Sequence, residues 1–226
     1  MDRPDTSPPT MMQRILTSDF VFDFTRAPLA MLAAAVVLFL FIIAILAPLV
    51  APTNPFDPAS LNLMNGFTPP MTPNMFTGQS FVMGADDQGR DLLSAIIYGL
   101  RVSLFVGVMS VLLAMGIGVS LGLVAGYVGG WLDNLIMRIA DIQLTFPSIL
   151  IAMLIFGVLR GIIPPDLRDE MAIFVLIAAI GLSEWVPFAR TVRATTLVEK
   201  EKEYVQAARL IGLRRGQIMW RHILPN

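Results

Sequence analysis

The chain has 226 residues, of which 55% are hydrophobic and 15% are charged, and its formal net charge is −1. A soluble domain would carry about 25% charged residues, so the composition predicts an integral membrane protein. The nearly neutral balance does not favour nucleic acid as a partner, and the absence of cysteine excludes thiol catalysis, disulfides and thiolate metal sites. The single histidine, His222, is too few for a histidine-based metal site.

Four apolar segments predict an all-α fold, a bundle of membrane-spanning helices. They cover residues 29–50, 102–127, 135–159 and 171–188. Each is long enough to cross about 30 Å of hydrocarbon at about 1.5 Å per residue. Because the first segment carries no charge and is too long for the core of a signal peptide, we interpret it as a retained transmembrane helix.

The distribution of basic residues predicts the orientation of the chain. With residues 1–28 in the cytoplasm, twelve lysines and arginines fall on the cytoplasmic side, among them Arg3, Arg14 and eight residues from Arg190 to Arg221. Only four basic residues fall on the outer side. Because cytoplasmic loops carry the excess of Lys and Arg, we predict that the N-terminal segment and the basic tail are both cytoplasmic.

Residues 51–101 form a predicted extracytoplasmic segment between the first two spans. Six prolines between Pro52 and Pro73 exclude a regular helix or a central strand in its first half. Residues 83–91 predict a turn that leads into an amphipathic helix. Because long connections are usually functional or disordered, we expect this segment to contact a partner or to form an outer lid.

The remaining core, residues 102–226, ends directly after a basic loop that leaves the last span. A cytoplasmic loop of this kind would normally be followed by further spans. We therefore expect the core to be incomplete at its C-terminus, the alternative being an unusually short protein.

A stripe of small residues occupies every fourth position of the second span: Ala114, Gly118, Gly122 and Gly126. Such a stripe lets a neighbouring helix backbone approach closely in lipid. We favour ordinary helix packing for it over a direct role in lining a pathway.

Three charged residues near or within the spans are candidates for function. Arg138 and Asp141 are three positions apart and are predicted to pair on one helix face, either as a gate or contact between subunits or as an interfacial ion pair. Glu184 lies in the cytoplasmic half of the fourth span, where an acidic group is either functional or merely interfacial. Pro147 and Pro187 are predicted to kink or break the third and fourth spans.

The segment from Glu203 to Asn226 combines an Ala207-Ala208 pair with Gly212 four residues later. Small residues are needed where a surface helix lies in the groove of another protein, and a glycine is suited to its end. Tyr204, Ala208 and Ile211 have helical spacing, so we predict that this face enters the groove. The alternative is a basic interfacial helix that only anchors the chain to the membrane.

Three blocks, in residues 84–104, 126–148 and 185–226, together resemble the dipeptide/oligopeptide/nickel family of ABC importer permeases, specifically its second, C-type subunit. The first block is similar to an outer G-T-D-x-x-G-R-D motif, with Ala85 in place of Thr. The third is similar to the EAA loop, with Gln206 in place of the name-giving Glu and His222 in place of Ile. The departures leave the Ala-Ala pair, Gly212 and the Leu-Pro ending intact.

The resemblance implies the transmembrane domain of a type I ABC importer in the inner membrane of a bacterium, carrying peptides or related small solutes. It implies one or more ATPase subunits, a second homologous permease, an extracytoplasmic solute-binding protein and membrane lipid as partners. The implied ATPase-coupling residues are Glu203, Tyr204, Gln206, Ala207, Ala208, Arg209, Ile211, Gly212, Leu224 and Pro225.

The residues themselves predict no catalytic, metal or cofactor site. Both lysines, Lys200 and Lys202, are flanked by glutamates, so the chain lacks a phosphate-binding loop, and ATP hydrolysis is expected in a partner subunit. The alternative function is a membrane channel or scaffold subunit that ATP does not drive.

Overall fold

The computed structural model describes residues 19–58 and 61–225. Most of the predicted N-terminal segment, with Arg3 and Arg14, and the terminal Asn226 lie outside the described residues. The predicted all-α fold is confirmed, because the described residues form helices and no sheet, with only isolated bridges at Pro73–Ser80 and Ala85–Asp91. The chain divides into two compact units, Met1–Leu104 and Phe105–Asn226.

The first unit begins with helices α1 (Asp19–Arg26), α2 (Pro28–Ile45) and α3 (Ala47–Val50). The sequence predicts one helix over residues 29–50, but the structure has two, separated at Leu46. Pro48 explains the break, because it has no N–H to donate to the carbonyl four residues earlier. Helix α2 is by itself long and apolar enough to cross a membrane, without α3.

The outer segment, described over residues 51–58 and 61–91, has little regular structure, and its buried side chains are mostly polar. Asn65 is 2% exposed, and its Nδ2 donates to Oε1 of Gln79 at 2.7 Å. Asn74 Nδ2 donates to Oγ1 of the buried Thr68 at 2.8 Å. The Asn74 amide also donates to the carbonyl of Met64 and accepts from the N–H of Phe76, so polar side chains satisfy backbone groups that have no partner in a regular ladder.

Helix α4 (Leu92–Val128) begins ten residues before the predicted second span, at the end of the outer segment. Its start is fixed by Asp91, whose Oδ2 accepts a hydrogen bond from the backbone N–H of Ser94 at 3.0 Å. An aspartate in this position satisfies an amide that has no partner within the helix. The amphipathic segment predicted after residue 91 and the second span are therefore one helix.

The second unit continues with α5 (Gly130–Leu144), α6 (Ser148–Ile162), α7 (Arg168–Ser183) and α8 (Trp185–Glu199). After them come α9 (Glu203–Leu210), α10 (Arg215–Ile218) and a π-helical turn, Met219–Ile223. Within the described residues, α2 and α4 are long and apolar enough to cross a membrane singly. The number rises to four if each of the bent pairs α5–α6 and α7–α8 forms one span.

The predicted breaks of the third and fourth spans, residues 135–159 and 171–188, are both present. The chain turns by 98° between α5 and α6, at Pro147, which also disfavours helical backbone at the residue before it. It turns by 41° between α7 and α8, at Glu184. Pro187 lies in the first turn of α8 and favours this break as Pro48 favours the break between α2 and α3, because it has no N–H to donate to the Ser183 carbonyl four residues earlier.

The small-residue stripe of α4 packs directly against α8. A Cβ atom added at Gly118 would lie 2.5 Å from the carbonyl oxygen of Trp185, and one at Gly126 would lie 2.7 Å from Cβ of Thr196. At Gly122 an added Cβ would collide with the backbone of Ala189. The packing interpretation of the stripe is therefore confirmed, and glycine is required because the backbones touch.

Candidate functional site

The basic segment after α8 folds into a short helix with a defined end. Helix α9 stops at Leu210, and Gly212 follows with a φ of 83°, in the left-handed region. The N–H of Gly212 donates to the Arg209 carbonyl at 3.1 Å, and the N–H of Leu213 to the Ala208 carbonyl at 3.2 Å. This pair of bonds is the Schellman arrangement, so Gly212 ends the helix as predicted.

One face of α9 is buried in the chain's own core. Val205 and Ala208 are 0% and 4% exposed. They pack in a cluster whose other buried members are Leu123, Tyr127, Ile218 and Ile223. The prediction that Ala208 enters a partner's groove is therefore wrong. Helical spacing groups residues on a face, but it cannot say whether that face meets a partner or the end of the chain's own helix.

The face of α9 beside the buried one is open. Tyr204, Ala207 and Ile211 are exposed, with the Ile211 side chain at 76%. Their spacing of three and four residues places them on one side of the helix. The apolar surface that a partner could contact thus keeps Tyr204 and Ile211 of the predicted face and has Ala207 in place of Ala208.

Polar contacts stabilise the connection between α8 and α9. Lys202 Nζ lies 2.6 Å from Oε1 of Glu199, and the Tyr204 hydroxyl donates to Oε2 of Glu199 at 2.6 Å. The hydrogen bond with Glu199 raises the pKa of Lys202 above its ordinary value, so the amine stays charged. Gln206 Nε2 donates to the carbonyl of Glu201 at 2.9 Å, and Glu203 is exposed in the first turn.

The Leu224-Pro225 ending lies directly after the π-helical turn. The N–H of Leu224 donates to the carbonyl of Met219 at 2.9 Å, which closes the wide turn. Both residues of the ending are exposed, whereas Ile223 before them is buried against α9's inner face. π-helical turns are rare and frequently occur at functional sites.

The predicted Arg138–Asp141 pair is wrong. Asp141 of α5 pairs instead with Arg190 of α8, and Arg138 is exposed. A second pair joins the same helices, with Arg193 Nη2 lying 2.6 Å from Oδ2 of Asp133. Both arginines come from a helix that is remote in sequence, and local spacing gives no sign of them.

Gln143 extends this joint between α5 and α8. Its Nε2 donates to the Ser183 carbonyl at 2.7 Å, and its Oε1 accepts from Nε1 of Trp185 at 2.9 Å. The carbonyl of Ser183 belongs to the last turn of α7, so this contact satisfies a helix end at the break. Glu184 lies half-buried at that break, and its functional role stays a prediction.

Comparison with known proteins assigns the chain to a family. Residues 118–226 match the family described as the inner membrane component of binding-protein-dependent transport systems. Residues 16–70 match the N-terminal transmembrane domain of oligopeptide transport permease C. The chain is 35% identical to the dipeptide transport system permease protein DppC of Haemophilus influenzae over 222 residues, which is 97% of this chain and 70% of that relative. The chain belongs to this family of transport permeases.

Other relatives agree. The permease is 33% identical to the oligopeptide transport system permease protein OppC of Bacillus subtilis over 93% of its own length and 63% of the relative's. It is 39% identical to the glutathione transport system permease protein GsiD of an Escherichia coli strain over 92% of its own length and 62% of the relative's. The chain thus spans roughly two thirds of the length of these relatives. The glycine stripe, the α5–α8 joint and the α9 segment all fall within residues 118–226.

Proposed function

We propose that this permease forms part of the transmembrane pathway of an ATP-binding cassette importer for peptides or related small solutes, and that residues 203–226 couple it to a separate ATPase subunit. The observation that carries the coupling role is the burial of α9 on one face only. Val205 and Ala208 fix the helix to the chain's own core, while Tyr204, Ala207 and Ile211 face outwards. A helix held on one face and open on the other is suited to receive force from a partner.

The packing supports a path for that force into the membrane. The inner face of α9 contacts Leu123 and Tyr127 of α4, and Lys200 Nζ donates to the carbonyl of Gly126 at 3.1 Å. α4 in turn contacts α8 backbone to backbone along the glycine stripe. Closely packed helices move as units rather than deform, so displacement of α9 would shift α4 and α8 together.

A charged substitution on the open face tests the coupling role. Ala207→Glu and Ile211→Glu should each weaken association with the ATPase by about 2–5 kcal/mol, because a charge would be left buried and unpaired at the interface. Co-purification of the ATPase and solute uptake are measured together with membrane insertion. Ala194→Glu adds the same negative charge at an exposed position of α8, outside residues 203–226, and is the matched control.

Insertion should be normal in all three variants. Uptake and co-purification that match the control in both open-face variants would contradict the coupling role and favour the channel or scaffold alternative. Ala208→Glu is unsuitable for this purpose, because it would place a charge in the chain's own core.

The orientation that we propose has the N-terminus and residues 203–226 in the cytoplasm of an inner-membrane, multi-pass protein. The twelve-to-four division of basic residues supports it. Gly78 lies in the outer segment with open space around it, so a cysteine there is tolerable apart from its φ of 72°. Gly78→Cys should react with an impermeant reagent added outside; protection from that reagent would reverse the proposed topology.

We also propose that the outer segment contacts the extracytoplasmic solute-binding protein, while a second homologous permease completes the membrane pathway. Residues 58–85 contain no Asp, Glu, Lys or Arg. Their large apolar side chains point outwards, with Phe67, Met75 and Phe76 at 79%, 97% and 81% exposure. An exposed apolar surface of this kind typically marks an interaction site, and methionine adapts readily to a partner's shape.

A further inference from the structure

A cavity of about 380 Å³ lies between the end of α4 and the segment that contains α9 and α10. Its lining residues are Tyr127, Val128, Arg209, Leu213, Arg215 and Ile218. Small-molecule sites commonly enclose roughly 300–1,000 Å³, so the space is sufficient for a ligand group. The lining combines an apolar wall with two guanidinium groups and contains no carboxylate.

The two arginines lack carboxylate partners within the described part of the chain. The ion pairs there involve Arg90, Arg190, Arg193 and Lys202 and neither of these two. Two like charges that share a cavity repel each other, and an anion between them relieves that repulsion. The electrostatics of the cavity therefore favour an anionic ligand.

Arg209 is already held in position for such a ligand. Its guanidinium lies over the Tyr127 ring, 5.1 Å from the centroid, and Tyr127 is buried. Contact with an aromatic face leaves the edge of the guanidinium, with its N–H donors, available for hydrogen bonds. A fixed guanidinium edge matches the oxygen atoms of a phosphate group, which it can bind through two parallel bonds.

We propose that this cavity binds a phosphate group between Arg209 and Arg215, and that the phosphate is supplied by an anionic phospholipid of the adjacent leaflet. Tyr127 and Val128 end a helix that is long and apolar enough to cross a membrane, and Tyr127 is also the last residue of the predicted second span, so the cavity lies at the end of that predicted span. Val128, Leu213 and Ile218 give the apolar wall that suits the glycerol and first methylene groups of a lipid. Basic pockets at this depth are typical sites for anionic headgroups.

The ligand would join three elements that otherwise meet mainly through the core cluster. Arg209 lies in the last turn of α9, Arg215 begins α10, and Tyr127 lies in the last turn of α4. A phosphate bound by both arginines fixes α9 and α10 to the membrane end of α4. The site does not depend on the proposed ATPase docking, because the open face of α9 carries Tyr204, Ala207 and Ile211, none of which lines the cavity.

The test measures lipid retention by the full chain. The protein is reconstituted in nanodiscs of phosphatidylcholine with phosphatidylglycerol, and retained phosphatidylglycerol is counted by native mass spectrometry over a lipid titration. Arg209→Gln combined with Arg215→Gln should weaken retention about 10- to 100-fold, as expected for the loss of charged hydrogen bonds. Arg214→Gln combined with Arg221→Gln removes the same charge from exposed positions outside the cavity and should retain near-normal binding.

A second arm separates the two sources of phosphate. Inorganic phosphate is titrated calorimetrically into the detergent-solubilised chain, and circular dichroism confirms that each variant is folded. The double variant Arg209→Gln, Arg215→Gln is called the cavity variant. If it loses phosphatidylglycerol retention and the control does not, the result supports the lipid source. If it loses only the binding of inorganic phosphate, the result supports a phosphate site but overturns the lipid source. If the cavity variant is misfolded, Arg209→Lys takes its place in the test. This variant keeps the charge without the forked donors and should bind with intermediate strength.

Equal binding by the cavity and control variants in both arms overturns the proposal. The proposal is also overturned if the wild-type chain binds neither phosphatidylglycerol nor inorganic phosphate and the cavity variant no longer co-purifies with the ATPase. In that case the two arginines pair with a carboxylate of the ATPase.

Discussion

The outer segment and the α4–α8 contact are built on opposite principles. In the outer segment the buried side chains include Asn65 and Thr68, while large apolar residues lie outside. In the α4–α8 contact Gly118 and Gly122 lie directly against the backbone of α8, and almost no side chain separates the two backbones there. The two regions thus differ in what fills the space between segments of backbone.

The difference follows from how each backbone satisfies its hydrogen bonds. A helix satisfies its own amides and carbonyls, so helix contacts need no polar side chains and can close to backbone distance. A prolyl-rich loop does not, so side-chain amides must enter its interior. The apolar side chains of the loop are then displaced to the surface, where they are available to a partner.

Replacing a glycine of the stripe by a larger residue should disrupt the α4–α8 contact and cause the largest loss of stability. Gly122→Val places atoms against the backbone of Ala189 and should destabilise the folded protein by about 3 kcal/mol, at the upper end for overpacking. The matched control is Gly116→Val in the same helix, because nothing lies within 4 Å of a Cβ added there. Thermal unfolding in detergent measures both. Equal unfolding midpoints of Gly122→Val and Gly116→Val would show that the two helix backbones are not in contact at Gly122 in the folded protein.

Removing the buried Asn65 amide should destabilise the outer segment, and by less than Gly122→Val destabilises the α4–α8 contact. Asn65→Ala leaves Oε1 of Gln79 without its donor and the Thr77 hydroxyl without its acceptor, at about 1–3 kcal/mol for unsatisfied polar groups. Hydrogen exchange should accelerate in residues 62–80 and remain unchanged in α8. Gln88→Ala, at an exposed position, serves as the control. Unaltered exchange in Asn65→Ala would mean that apolar contacts hold the segment instead.

The smallest expected effect is the pH dependence of the turn before α4. Burial by itself raises the pKa of Asp86, but hydrogen bonds with Arg90 and with the N–H of Gln88 lower it below the ordinary value of 3.8. A lowered carboxyl pKa gives stability that is complete above the ordinary pKa and is lost as pH falls through the lowered value. Asp86→Asn should therefore destabilise the turn by about 0.2–1 kcal/mol near neutral pH and remove its acid sensitivity.

Hydrogen exchange of residues 84–91 at neutral and acid pH measures this contribution. The neighbouring Asp87→Asn removes the same charge from an exposed side chain and should leave the exchange unchanged. Identical acid sensitivity in Asp86→Asn and wild type would assign the turn's stability to backbone contacts alone.

Composition and local spacing determined much of this protein. The apolar runs predicted an all-α membrane fold, the spacing of glycines predicted a close helix contact, and Gly212 predicted the end of α9. These predictions succeed because lipid solubility, helix period and left-handed backbone are properties of a residue and its near neighbours.

Tertiary structure alone decided which faces meet and which charges pair. Ala208 was assigned to a partner and lies in the chain's own core, because the end of α4 offers an apolar surface eighty residues earlier in the sequence. Asp141 was assigned to Arg138 and pairs with Arg190, which α8 brings across from a remote segment. Helical spacing gives the direction of a side chain about its own axis, and only the packing of the other helices determines what it meets there.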